Sequence, residues 1–280
     1  MKSVIIKPKN EILKKHIQYF LFFKKSDCRV LNYTTFPNNN ICLAIYKENN
    51  IHYNNHSNQN NCVISQGNKN FISRFYGFHK MPFNVHINSN LDQICIIFNP
   101  AALRFFTHET YEDLMGSDNV FNIFTTKDKY ILEQIFEENE FSKRAEKLEQ
   151  LLLNNLNYTV SDKLKEALYI ADNHTDITVE MLAKKLKIST PTLFRLFKNH
   201  LGQNPKTYLK TVRFRNVLNE ILNKQDTLTS IAYSNMFYDQ AHCINDFKVF
   251  SGNSPKQLMD KISIKQNNLA WIYNIKNNCE

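Results

Sequence analysis

One sequence pattern occurs in two copies, about fifty residues apart. Residues 182–206 read LAKKLKISTPTLFRLFKNHLGQNPK, and residues 231–256 read IAYSNMFYDQAHCINDFKVFSGNSPK. Each copy begins with a small apolar pair, continues through a polar break into an amphipathic stretch, and ends in Phe-Lys, Gly and Pro-Lys. The pattern predicts a helix, a turn and a second helix in each copy. Two similar helices in series suit a partner that repeats along its length, as the major groove of duplex DNA does.

Local signals at helix starts divide the C-terminal half into short helices around a long one. Thr190-Pro191 and Asn204-Pro205 each place a capping side chain before a proline, which favours a helix start. We therefore expect recognition helices over about 190–200 and 239–250. A long helix over 205–222 is expected to join the two units.

Positive charge is concentrated in the first copy. The chain carries a formal net charge of +9. Between Met181 and Gln225 there is one acid, Glu220, against ten cations: Lys184, Lys185, Lys187, Arg195, Lys198, Lys206, Lys210, Arg213, Arg215 and Lys224. Such a segment favours a polyanionic partner. An ordinary solvated helix face would carry the same charges, so charge alone does not decide between the two.

The N-terminal half has the pattern of a β-rich domain. Short runs of aromatic and branched residues alternate with polar segments, of which the Asn-rich 49–61 is predicted to be an exposed hairpin tip or a disordered loop. Strands at this spacing predict a barrel or a sandwich. The predicted strands are Ile17–Phe23, Ile41–Tyr46, Phe71–Phe78 and Ile94–Phe98.

The fold class expected for the whole chain is α+β. A β-rich domain over 1–125 is followed by two connector helices over 126–158, and then by an all-α domain over 159–262 with two helix-turn-helix units. The tail over 263–280 is polar except for residues 269–273, which either dock on a neighbouring surface or fray.

Outward-facing polar residues of the two second helices are the candidate base readers. Arg can bond two acceptors of guanine, Gln and Asn suit adenine, and short Thr side chains allow contact with a thymine methyl. Lysines near the same helices are the candidate phosphate contacts. We predict base reading by Thr190, Thr192, Arg195, Gln240, His242 and Asn245, and phosphate contact by Lys198, Lys206 and Lys248.

With these residues in place, 160–262 resembles the DNA-binding domain of the AraC/XylS-type transcription regulators. The resemblance rests on Leu182-Ala183, Gly202-x-x-Pro205, Ile231-Ala232-Tyr233 and, above all, 238–242 (YDQAH) with 246–255 (DFKVFSGNSP). It implies two recognition helices in adjacent major-groove turns, joined by a long helix. The predicted base readers fall where that family reads bases.

The second unit departs from the family pattern in three places. Its turn holds Asn235 and Met236 where a Gly is usual, and we expect Asn235 to supply the left-handed conformation. Cys243 stands where a larger aromatic is common, and Asn245 replaces a frequent Arg. All three changes predict that the second unit binds DNA more weakly than the first.

The N-terminal half resembles, less closely, the cupin-like sensory domains of such regulators, through Ile94–Phe98 and the Asn99-Pro100 that follows. The resemblance implies that this half binds a small effector, whose identity the sequence does not give, or mediates homodimer formation. The aromatics Phe71, Phe75, Tyr76 and Phe78 are interpreted as core rather than as a ligand box. No His-x-His with a downstream acid occurs, so His52, His56, His79 and His86 are interpreted as surface or loop residues rather than as metal ligands.

Other function classes lack their motifs. The sequence has no Gly-x-Ser-x-Gly and no His-Glu-x-x-His, and its five glycines leave little room for phosphate-binding loops. We therefore expect no catalytic residues, no cofactor and no metal. The six cysteines are scattered, and no secretory signal or membrane-spanning run occurs, so a reducing cytoplasm is the expected setting.

The sequence therefore predicts a sequence-specific, DNA-binding transcription regulator that is modulated through its N-terminal domain. Two other hypotheses stay open. One is an enzyme built on the β domain. The other is a regulator that acts mainly through protein partners and binds DNA only weakly and without specificity. A steep fall of DNA affinity with salt would favour the DNA-binding regulator, which makes several phosphate contacts, over the regulator that acts through protein partners.

Overall fold

The computed structural model describes residues 2–27, 29–54, 59–124, 130–223, 227–266 and 269–276. Cys28, His56, Lys224 and the predicted boundary at residues 125 and 126 lie outside these ranges.

One curled sheet of nine strands organises the N-terminal half of the described chain. Its strand order is β1-β2-β7-β4-β5-β6-β3-β9-β8, and neighbours are antiparallel except for the parallel pair β5 and β6. A single curled sheet fits the barrel alternative rather than the sandwich. The strands are β1 (Lys2–Ile6), β2 (Ile17–Lys25), β3 (Val30–Thr35), β4 (Ile41–Asn54), β5 (Asn61–Tyr76), β6 (Phe83–Ile87), β7 (Leu91–Phe98), β8 (Ile264–Gln266) and β9 (Leu269–Lys276).

Both faces of this sheet are apolar, which explains why its strands read as continuous apolar runs. In β2, Phe20 and Phe22 point to one face, and Tyr19, Leu21 and Phe23 point to the other. Successive side chains of a strand alternate between faces, so the run FLFF serves two cores. The first core lies under the helices that follow the sheet, and the second lies inside the curl.

The Asn-rich segment belongs to a long hairpin. Strand β4 continues to Asn54 and β5 begins at Asn61, and the two are paired from Cys42 and Tyr76 to Asn54 and Asn61. The hairpin prediction is therefore confirmed for the residues described. The Asn-rich segment is not exposed over its whole length. Asn49, its first residue, is buried, and its amide donates to the Asn90 carbonyl oxygen at 2.9 Å.

The segment between the sheet and the C-terminal domain packs on the outer face of the sheet. It contains 3-10 helices at Ala102–Phe105 and Val120–Phe124, and helices α1 (Tyr111–Gly116), α2 (Ile131–Glu137) and α3 (Phe141–Asn154). The two predicted connector helices correspond to α2 and α3. Leu148 and Leu152 of α3 join the outer core, so the connector is part of that core.

The C-terminal half is helical, as predicted. Its two repeated units share one long helix, α7, which starts after the Asn204 cap. Tyr208, Leu209 and Val212 of α7 lie in the core of the first unit, whereas Phe214 and Leu218 lie in the core of the second. The helices are α4 (Asp162–Asn173), α5 (Val179–Lys185), α6 (Thr190–Leu201), α7 (Pro205–Asn223), α8 (Leu228–Ser234), α9 (Gln240–Ser251) and α10 (Pro255–Lys261).

The segment predicted as a polar tail returns to the N-terminal sheet. Strand β9 pairs antiparallel with β3, from Val30 opposite Lys276 to Thr34 opposite Ile272. Trp271 is buried and stacks on Tyr33 and Phe23, with ring centroids 4.9 and 5.4 Å apart. Of the two outcomes left open by the sequence, docking is confirmed, and the docked segment adds strands to the sheet.

A buried ion pair fixes α3 to the sheet. Arg144 is 1% exposed, and its guanidinium donates to both carboxylate oxygens of Asp92 at 2.6 and 3.0 Å. It also donates to the Phe136 and Glu138 carbonyl oxygens. Asp92 is partly exposed at 19%, so the buried member of the pair is the guanidinium.

We predict that Arg144→Met lowers the free energy of unfolding by about 1–3 kcal/mol, because Asp92 and the Phe136 and Glu138 carbonyl oxygens lose their donor. Lys143→Met is the matched control, since Lys143 is an exposed neighbour whose pair with Glu140, at 3.3 Å, should contribute less than about 1 kcal/mol. Urea unfolding of the full chain measures both. Equal losses in the two variants would contradict the role given to Arg144.

Candidate nucleic-acid interface

The first unit is a helix-turn-helix made of α5 and α6. Thr178 caps α5 by accepting from the Met181 backbone N–H at 3.2 Å. The cap of α6 is Ser189, which accepts from the Thr192 N–H at 3.3 Å, and Thr190 is the first helical residue. The prediction of Thr190 as the cap was therefore wrong by one residue, because the Ser-Thr pair offers two hydroxyl side chains before Pro191.

The outer face of α6 carries the cations predicted to touch DNA. Arg195 and Lys198 are exposed, while Leu193 and Phe197 are buried in the core. Thr190 and Thr192 are half-buried, and the Thr192 hydroxyl lies 2.9 Å from the Ser189 hydroxyl.

Phe194 is a candidate that sequence reasoning missed. It is 40% exposed on α6, next to Arg195. An aromatic residue in an amphipathic helix is normally assigned to the core. The signal that could have found it is the helical period, since Leu193 and Phe197 already fill the inward positions of this turn.

The second unit, made of α8 and α9, repeats this geometry. Asp239 caps α9 by accepting from the His242 N–H at 2.7 Å. Gln240, His242, Asn245 and Lys248 are all exposed, so the predicted readers of this helix lie on its outer face. The Gln240 amide oxygen accepts from the Thr229 hydroxyl at 2.9 Å, which ties its side chain to α8.

An acidic residue of α9 is paired within the domain. Asp246 of α9 lies 3.4 Å from the Lys210 ammonium of α7. The ion pair offsets the negative charge of α9 and links it to the shared helix. Because both side chains are partly exposed, its energetic contribution is modest.

Both turns use a left-handed residue that is not glycine. Lys187 in the first turn has φ 54° and Met236 in the second has φ 59°. Asn235 has φ −96°, so the prediction that it supplies the left-handed conformation was wrong. Its buried amide instead donates to the Ile231 carbonyl oxygen and to a Glu220 carboxylate oxygen, both at 2.9 Å. These bonds explain the Asn at position 235, and Met236 takes the left-handed conformation of the turn.

Of the other two predicted phosphate contacts, Lys206 is exposed at the start of α7 and Lys248 is exposed on α9. Lys198 lines a groove between the first unit and the N-terminal domain, and Lys80 lines the same groove. Two like charges at one groove raise its affinity for anions.

One cation of the basic segment is not at the surface. Arg215 of α7 is 7% exposed and lines a cavity inside the curled sheet. Among the described cations of this segment, the sequence therefore overstates the surface charge by one. Nothing in the local sequence distinguishes Arg215 from Arg213, because the difference arises from packing of the two domains.

Two predicted surface histidines are only half-exposed. His79 stacks on Phe83 at 5.0 Å, and the His86 ring lies 2.8 Å from the Asn32 amide oxygen in the sheet. Burial lowers the pKa of His79 to about 4, so it is neutral near pH 7. Of the aromatics interpreted as core, Phe75 and Tyr76 are confirmed, since each is buried in one of the two cores of the sheet; Tyr76 also lines the cavity. No group of His, Cys, Asp and Glu with metal-binding geometry occurs among the described residues.

Residues 182–261 match the family model of a helix-turn-helix domain. An uncharacterized HTH-type transcriptional regulator of Haemophilus influenzae is 23% identical over 66% of this chain and 58% of its own length. The HTH-type transcriptional activator RhaS of Escherichia fergusonii is 29% identical over 38% of this chain and 35% of its own length. The C-terminal part of the chain is an AraC-type helix-turn-helix domain.

Among solved structures, the C-terminal domain of AraT, a response regulator from Geobacillus stearothermophilus, is similar to this AraC-type domain. The two share 24% sequence identity over 39% of this chain and 92% of that chain, with a TM-score of 0.36. The chain spans 58% and 35% of the lengths of the two relatives, both of which are named as HTH-type transcriptional regulators or activators. No described helix is long and apolar enough to cross a membrane.

We predict that Met236→Gly stabilises the AraC-type domain by about 0.5–1 kcal/mol. A left-handed residue with a Cβ costs about 1–2 kcal/mol, and the added freedom of Gly in the unfolded chain offsets part of the gain. Met236 is 55% exposed, so its loss removes little packing. Met236→Ala is the control, since it removes the same side chain and keeps the strain. Thermal unfolding measures all three chains, and a glycine variant no more stable than the alanine variant would contradict the assignment.

Proposed function

We propose that the chain is a sequence-specific transcription regulator that inserts α6 and α9 into adjacent major-groove turns of one duplex. The observation that carries the proposal is that one helix, α7, lies in the cores of both helix-turn-helix units. With 19 residues, α7 is about 28 Å long, which is close to the roughly 34 Å repeat of the groove. Both second helices present exposed polar faces to that repeat.

In this proposal, the first unit supplies most of the affinity. Arg195 reads a guanine, while Thr190, Thr192 and the exposed Phe194 approach neighbouring bases or a thymine methyl. Gln240, His242 and Asn245 read bases in the next turn of the groove. Lys198, Lys206 and Lys248 contact phosphates and set the register.

The N-terminal domain modulates this binding through direct contact with both units. Gly202 ends α6 at φ 70°, and a Cβ added there would lie 3.0 Å from the Tyr111 side chain of α1. Gly252 ends α9 at φ 68°, and the equivalent Cβ would lie 3.5 Å from Pro82. The N-terminal domain therefore meets the same corner of each unit, which supports control of their relative orientation. Homodimer formation stays a prediction.

A regulator acting mainly through protein partners is the second candidate. The second unit exposes large apolar side chains, including Tyr238 at 86%, Val249 at 64% and Tyr233 at 60%. Exposed aromatics of this kind are typical of protein interfaces. The two candidates differ in what they predict for DNA binding.

Recovery of sheared genomic DNA by the purified chain, at low and at moderate salt, tests the proposal. We expect one motif with two half-elements about 10 base pairs apart, and a steep loss of recovery with salt. Equal recovery of all sequences, or recovery that salt does not change, would favour the candidate that relies on protein partners.

Arg195→Ala is predicted to weaken binding to the recovered motif by about 1–3 kcal/mol and to relax discrimination at one base pair. The reason is that only a base-reading Arg makes contacts that depend on the base. Competition binding against duplexes mutated at single positions measures both effects. Equal losses of affinity for the motif and for random DNA would contradict the assignment of Arg195 as a base reader.

Lys198→Ala is predicted to weaken all duplexes by a similar factor and to reduce the salt slope by about one, because a phosphate contact carries no base information. Lys163→Ala is the matched control, since Lys163 is an exposed cation on α4, outside both units. An unchanged salt slope in Lys198→Ala would remove this residue from the phosphate contacts.

A further inference from the structure

A groove separates the first helix-turn-helix unit from the N-terminal domain. One wall is the end of α6 and the start of α7, and the other is the segment after β5 together with α1. None of the described residues that line it belongs to a strand, so it is separate from the cavity inside the curled sheet. The two walls approach closely at Gly202, where an added Cβ would lie 3.0 Å from the Tyr111 side chain.

The charges around this groove favour an anion. Lys80 contributes an ammonium group from the N-terminal domain, and Lys198 contributes one from α6. A third cation lies behind the wall, since the buried Arg104 guanidinium is 4.4 Å from the centroid of the Tyr111 ring. The described residues that line the groove include no Asp or Glu to offset these charges.

The start of α7 adds a partial positive charge at the same place. Asn204 and Thr207 line the groove, and the Asn204 side chain accepts from the Thr207 N–H at 2.8 Å. The peptide dipoles of this 19-residue helix align, so its N-terminus attracts negative charge. A helix N-terminus beside lysines is an arrangement that binds phosphate groups.

An unpaired buried amide provides a second, independent sign of a ligand. Gln203 lies between α6 and α7, lines the groove and is 8% exposed. Neither its amide nitrogen nor its amide oxygen has a hydrogen-bond partner. Buried polar groups are nearly always hydrogen-bonded in folded proteins. A ligand that satisfies this amide must therefore offer an acceptor and a donor at once.

We propose that the groove binds a phosphate group that also carries a hydrogen-bond donor, as inorganic hydrogen phosphate or a small phosphate monoester with a hydroxyl does. Phosphate oxygens accept from Lys80, Lys198 and the Gln203 amide nitrogen, and the ligand hydroxyl donates to the Gln203 amide oxygen. A DNA phosphodiester has no donor to offer this oxygen. Binding does not require DNA, so the inference goes beyond the proposed function.

The volume of the groove limits the size of the ligand. The groove holds about 200 Å³. One water-sized group needs about 10–15 Å³, so there is room for roughly fifteen such groups. A phosphate with a body of a few carbon atoms fits this limit, whereas a nucleoside triphosphate exceeds it.

Two of the three side chains proposed to hold the phosphate have no part in the proposed DNA contacts. Lys198 is a predicted contact of the DNA backbone, but Lys80 and Gln203 are not. Variants at these two positions therefore test the groove separately from the recognition helices.

Calorimetric titration of the full chain without DNA, at about pH 8 and constant ionic strength, tests the proposal. Hydrogen phosphate and sulfate have the same shape and similar charge, but only hydrogen phosphate keeps an O–H. We expect saturable binding of phosphate and roughly tenfold weaker binding of sulfate, which leaves the Gln203 amide oxygen unpaired. Methyl phosphate is doubly ionised at this pH and has no hydroxyl, so it should bind like sulfate.

Two variants assign the groups that bind the ligand. Gln203→Met should remove the preference for phosphate over sulfate. Lys80→Gln should weaken both anions by a similar factor, roughly tenfold, and keep the preference. Lys7→Gln is the matched control, since Lys7 is an exposed cation of the same domain that does not line the groove. If Gln203→Met does not fold, the phosphate-to-sulfate ratio of the unmodified chain still tests the donor.

Three outcomes would overturn the inference. They are no saturable binding of phosphate, equal binding of phosphate and sulfate by the unmodified chain, and an effect of Lys80→Gln on duplex affinity alone. The last would identify the DNA backbone as the source of the phosphate. Specific DNA binding is measured in separate samples. Phosphate binding without it would refute the proposed function alone, and the reverse would refute the groove assignment alone.

Discussion

The structure depends on one helix that is shared by two hydrophobic cores. The N-terminal turns of α7 are buried in the first helix-turn-helix unit, and its C-terminal turns are buried in the second. Neither unit can rotate about α7 without exposing apolar surface, at about 25 cal/mol for each Å². The separation of α6 and α9 is therefore set by the rise of a continuous helix rather than by a loop.

The N-terminal domain packs against both units and against α7. Its α1 and the segment before β6 contact the glycines that end α6 and α9, and its cavity receives Arg215 from α7. Strand β9, which follows the AraC-type domain in the chain, pairs with β3 of the sheet. The two halves are thus in contact at several points, through β9 and through the ends of α6 and α9.

The sequence was sufficient to predict where helices begin and end, because neighbouring residues decide these positions. The Asn204 cap, the proline that follows it, and the glycines at 202 and 252 fix helix ends within a few residues, and α6, α7 and α9 were predicted. Strands β1, β3, β6, β8 and β9 were missed. The pairing of β3 with β9 joins residues as distant as Val30 and Lys276, which a local pattern does not reveal. Two residues were predicted wrongly because contacts outside the local sequence decide them. Packing of the two domains buries Arg215. The side chain of Asn235 bonds the Ile231 carbonyl oxygen, and Met236 takes the left-handed conformation of the turn instead.

The most direct test of a separation fixed by α7 is binding to a duplex in which about five base pairs are inserted between the two half-elements. The insertion moves the second half-element to the opposite side of the helix. We predict that affinity falls to that of a duplex with one half-element, because α7 cannot lengthen or twist to follow. Unchanged affinity would contradict the account, since it would require the two units to move independently.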